Sequence, residues 1–168
     1  MATLSKIFRR ADPLEPQAQR LVPACLVLST SSFVPLLDNH PFLNECKVDQ
    51  WDFFATAAAV FIGINNLKRH VSRRRFKSLY SVMLGGISQW NPQGEEATLD
   101  CQKFVARIID SKAPEQVSGD NSDATDAVGM WVLWNVLQRK PSYEEAPAAR
   151  EIGLILASSL QDWWDAKG

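Results

Sequence analysis

The 168-residue chain holds only three cysteines, two histidines and two tyrosines, and these shortages exclude several chemistries. Cys25, Cys46 and Cys101 are odd in number and far apart, with no CxxC pair and no histidine at ligand spacing. That pattern argues against a disulfide framework or a zinc site. Three isolated cysteines read as buried, reduced thiols, which suits a reducing, cytoplasmic setting. His40 and His70 belong to no HExxH or ExxH pair, so no metal centre is expected. G-x-S-x-G, Walker and dinucleotide-binding glycine patterns are all missing, and with them any expected nucleophile elbow or nucleotide cofactor. Dispersed groups such as Asp52, His70, Cys101 and Asp126 have no spacing that predicts a reacting geometry, and no catalytic residue is assigned.

Long apolar runs are scarce as well. The nearest candidate, Phe53 to Ile64, spans 12 residues, against roughly 20 for a helix that crosses a bilayer. No transmembrane segment is therefore expected. Lys6, Arg9 and Arg10 are followed by Ala-Asp-Pro-Leu-Glu-Pro, too polar and proline-rich for the apolar region of a secretory signal. Residues 1–12 read as a flexible basic arm, and residues 13–168 as a single domain.

What is present fits a globular chain, with 46% hydrophobic and 22% charged residues. Six tryptophans are many for this length, and each ring can bury on the order of 200 Å². The net charge of −1 hides an uneven distribution. Between Trp51 and Trp90, six Lys/Arg face Asp52 alone, whereas from Asn91 onward seven Lys/Arg face thirteen Asp/Glu. A basic and an acidic region follow, able to steer partners or to pair with each other.

Helical periodicity dominates after residue 49. Asp49 is a candidate cap for a helix through Trp51, Phe54, Ala58, Phe61 and Leu67, apolar nearly all round and so suited to the centre of a bundle. Gly63 within it implies a close crossing or a break. From Ser72 to Trp90, Phe76, Leu79, Tyr80, Met83, Ile87 and Trp90 form one stripe, interrupted at Gly85-Gly86. Glu95 to about Lys112 is a further amphipathic helix, with its acids in the first turn where the dipole favours them. Ala113 to Ser122 reads as a polar loop. A second all-round apolar helix runs through Trp131 and Trp134 until Arg139-Lys140-Pro141, and a closing helix reaches Asp165. Before Asp49 the pattern is ambiguous. Leu14 to Ser32 reads as a helix broken or kinked at Pro23, or one started there, Ser29 to Ser32 offer turn and cap chemistry, and Phe33 to Phe42, holding Pro35 and Pro41, reads as an irregular segment or short helical turns. The expected fold is an all-α single-domain bundle of about five or six helices with an irregular, proline-rich N-terminal region.

Two features point to binding. Lys68, Arg69, Arg73, Arg74, Arg75 and Lys77 crowd the junction of two helices, with His70 among them. Such a corner attracts an acidic protein surface, nucleic acid or an anionic membrane, or pairs with the acidic half of its own chain. Trp163 and Trp164, adjacent on a helix and so about 100° apart, can both be buried only on a wide face or at an interface. The resulting expectation is a non-enzymatic, intracellular helical domain that binds a protein partner or a second copy of itself through the basic corner and an aromatic surface. The alternatives are nucleic-acid or anionic-membrane binding by the same patch, and a small helical enzyme or apolar-ligand carrier. No cofactor is expected.

Overall fold

The computed structural model describes residues 12–112 and 122–165. The arm expected over residues 1–12, Asp12 apart, and the loop expected from Ala113, Ser122 apart, lie outside the described residues. Among the described residues there are six α-helices and no strand, and the chain is an all-α bundle.

The first helix, α1 (Glu15–Asn39), runs unbroken where Pro23 and Pro35 predict interruptions. Both prolines sit on its exposed side, where the carbonyls they leave unpaired can meet water. Leu21, Val22, Cys25, Phe33 and Leu36 are buried along the other side, and their burial offsets the cost of about 3 kcal/mol that an interior proline carries. The serine cluster lies within the helix rather than in a turn. Ser29 donates to the Cys25 carbonyl at 2.8 Å, and Ser32 to that of Ser29 at 2.9 Å. Among the described residues, by length and composition alone, α1 rather than Phe53 to Ile64 is the helix long and apolar enough to cross a membrane. Its buried stripe gives that composition a use inside the bundle.

After a 3-10 turn (Pro41–Glu45) comes α2 (Val48–His70), capped from Lys47, so that Asp49 lies in the first turn rather than at the cap. α2 is the centre of the molecule and touches all five other helices. The close crossing implied by Gly63 is present, with Leu21 of α1 directly over it. α3 (Arg73–Trp90) continues through Gly85-Gly86 and packs chiefly on α1, only lightly on α2 and α4. α4 (Gly94–Asp110) buries Ala97, Cys101 and Val105 against α2 and α5.

α5 (Ser122–Leu137) and α6 (Ala146–Leu160) make the most intimate pair, joined through a 3-10 turn (Tyr143–Glu145). A Cβ added at Gly129 would lie 1.6 Å from the Ala149 carbonyl oxygen, and one at Gly153 would lie 2.1 Å from that of Thr125. Backbone here rests on backbone, which only glycine permits. α6 stops at Leu160, five residues short of the expected Asp165, and residues 161–165 fold as turns.

Candidate functional site

The basic corner is built by the end of α2 and the start of α3. Lys68, Arg69 and His70 occupy the last turn of α2, where the helix dipole favours positive charge, and the His70 Nδ1–H donates to the Asn66 carbonyl at 2.7 Å. Val71 and Ser72 are extended, and the Ser72 hydroxyl accepts the Arg75 N–H at 3.4 Å to cap α3. Arg73, Arg74 and Arg75 then fill the first turn of α3, which holds no acid. Cations there oppose the dipole. A sequence optimised for helix stability alone would place aspartate or glutamate in this turn.

The six cations are not equivalent. Arg75 is engaged internally, its Nε 2.6 Å and Nη2 2.7 Å from the two carboxylate oxygens of Asp12. That bidentate bond holds the Asp12 carboxyl below the usual aspartate range, despite an opposing effect of burial. Asp12 also accepts the Leu14 N–H at 2.9 Å, so Arg75 fastens α3 to the start of α1. Arg75, expected among the partner-binding cations, thus has a structural contact within the chain. Lys68, Arg73, Arg74 and Lys77 are exposed and form no ion pair among the described residues; Arg69 is exposed beside them. Among the described residues, several carboxylates of the acidic half pair away from this corner: Asp123 with Lys112, Asp126 with Arg150, Glu145 with Arg139, and Glu151 with His40.

Of the two indoles expected at an aromatic surface, Trp164 is buried and Trp163 partly exposed. Because α6 ends at Leu160, these two residues lie in a turn and not on a helix, and the 100° separation does not apply. Trp164 is 5% exposed, and its indole N–H donates to the Gly63 carbonyl at 2.8 Å. Trp163 is half-buried with its ring edge-on to Trp164, and its own N–H is buried without a partner among the described residues. Trp134 is exposed at 41% and stands edge-on to Phe104 of α4. Its all-round apolar neighbourhood in the sequence concealed this.

Two polar clusters join residues too distant in sequence to be read together. His40 Nε2 lies 2.7 Å from Glu151, which also accepts from Asn39 at 2.8 Å; these bonds lower the Glu151 pKa and tie α1 to α6. Arg139 forms a bidentate pair with Glu145 at 2.6 and 2.8 Å and reaches Glu45 at 3.3 Å. Among the described residues no group of His, Cys, Asp and Glu is placed to hold a metal ion. All three cysteines are free thiols, and burial raises each, Cys46 to about 11. At neutral pH they are protonated and poorly nucleophilic. Compared with known protein families, curated proteins and solved structures, the chain matches none.

Proposed function

We propose that this chain is a non-enzymatic helical interaction domain that binds an acidic surface of a protein partner through Lys68, Arg73, Arg74 and Lys77. One observation carries this reading: four exposed cations, without an ion pair among the described residues, are concentrated where α2 meets α3, two of them in a helix turn that their charge destabilises. Local rules broken without internal compensation mark places where sequence serves a purpose other than folding. The corner attracts an acidic surface over several ångströms and raises the rate of encounter, and short-range contacts then hold the complex.

The test is an R73E/R74E/K77E variant, which leaves the Arg75–Asp12 contact intact. Partners captured by the wild-type protein are lost from this variant, and their association at low salt slows by about tenfold or more, with added salt narrowing the gap. Partners and rates that survive the triple reversal reject the reading. Duplex DNA, RNA and anionic vesicles belong in the same assay. Salt-sensitive binding to one of them, in the absence of any protein partner, assigns the corner to that polyanion instead.

A further inference from the structure

Beside the basic corner, the light contact of α3 with α2 and α4 leaves an open cavity of about 200 Å³. Its walls are largely apolar: Phe61 and Ile64 from α2, Phe76 from α3 and Leu99 from α4. Phe76 and Tyr80 stack with ring centroids 5.5 Å apart, forming a flat aromatic side. Asn65, Gln102 and the Tyr80 phenol supply uncharged polar groups, and among the described residues of the wall Lys68 alone is charged. A volume of about 150 Å³ suffices for benzene in an apolar cavity, and drug-sized ligands occupy about 300 Å³ or more. The space therefore suits one ring or a short acyl chain with a head group.

Charge around the cavity is graded. Arg73, Phe76, Lys77 and Tyr80 fall at i, i+3, i+4 and i+7, so the two free cations lie on the same side of α3 as the aromatic wall. Lys68 approaches from the end of α2. At the opposite end, near the turn between α3 and α4, Glu95 stands close enough to Tyr80 to reinforce the effect of burial on its phenol, which stays protonated and able to donate. An anion is favoured at the Lys68 end and disfavoured at the other.

We propose that this cavity binds a small amphipathic carboxylate, its apolar body against Phe61, Ile64, Phe76 and Leu99 and its carboxylate paired with Lys68. This goes beyond partner binding at the corner, because it assigns a small-molecule site with its own specificity. The probes are 4-phenylbutyrate and hexanoate, each compared with the alcohol of the same carbon skeleton and followed by chemical-shift changes in the labelled protein. Saturable shifts confined to residues around Phe61, Ile64 and Leu99 are expected, with each acid about tenfold tighter than its alcohol. Lys68→Met brings the acid down to the affinity of the alcohol. Leu99→Trp, at a partly exposed position, fills the space and abolishes both, while circular dichroism reports an intact fold. The proposal is overturned by any of three results: no saturable shift below about 10 mM, unchanged binding in Leu99→Trp, or an acid preference that survives Lys68→Met.

Discussion

The indole N–H is the one polar atom of a tryptophan, and its partner decides whether burying so large a ring carries a penalty. Three of the rings here solve this by reaching across to another element. Trp51 donates to the Ser29 carbonyl of α1 at 2.8 Å, Trp131 to the Asp100 carboxylate of α4 at 2.9 Å, and Trp164 to the Gly63 carbonyl of α2. Trp164→Phe keeps most of the apolar area and removes the bond, so a loss of about 2 kcal/mol is expected in urea unfolding. Trp134→Phe, at an exposed site, should change stability by less than about 0.5 kcal/mol. Glu145 supplies a pH-dependent contribution. Its bond to Arg139, helped by the Ser142 N–H at 2.7 Å, lowers its pKa from 4.5 to about 2. A depressed carboxylate stabilises the fold fully above its unfolded pKa and loses that effect as the pH falls from about 4.5 toward about 2. Glu145→Gln should therefore be less stable than wild type at neutral pH and converge with it in strong acid, as measured by denaturant titrations across that range. That the tryptophans would dominate a core or an interface was legible from their size. Their partners were not, because Trp164 and Gly63 lie 101 residues apart.

At the scale of elements, the α5–α6 contact depends on two glycines. Gly129→Ala places a methyl group against the Ala149 carbonyl, a backbone atom that cannot rotate aside. A loss of more than about 3 kcal/mol is expected, with the thermal midpoint as readout. Gly85→Ala is the counterpart, since nothing lies within 4 Å of the added atom in the middle of α3. It should raise stability by about 0.5–1 kcal/mol, because alanine loses less backbone freedom on folding. Four of the helices were legible in period and approximate bounds, as apolar faces at 3.6-residue spacing leave little else for those segments to become. α1 was obscured by Pro23 and Pro35, whose local cost is real but is outweighed by burial that only the folded neighbours provide. The extent of α6 was misjudged for the opposite reason. Its apolar pattern continues through Trp163 and Trp164, while the backbone turns after Leu160 so that Trp164 can reach α2.

For the whole molecule, the decisive quantity is where charge sits relative to the helices. Arg73 and Arg74 oppose the dipole of α3 and add to the repulsion within the corner. Arg73→Glu with Arg74→Glu should consequently raise unfolding stability by about 1 kcal/mol at low salt, even as the corner loses its attraction for acidic partners. Denaturant titration of that double variant separates loss of binding from loss of folding, and a destabilised variant would contradict the electrostatic account. Local order along the chain was enough to determine the all-α class, the central place of α2 and the presence of six clustered cations. These depend on periodicity and composition, which act over a few residues. Only the tertiary structure decided that Arg75 belongs to Asp12, that Trp164 faces inward while Trp134 faces out, and that Lys68 borders a cavity shared by three helices. Each of these depends on which surfaces meet in space, and the free energy of that meeting is not written in any single segment.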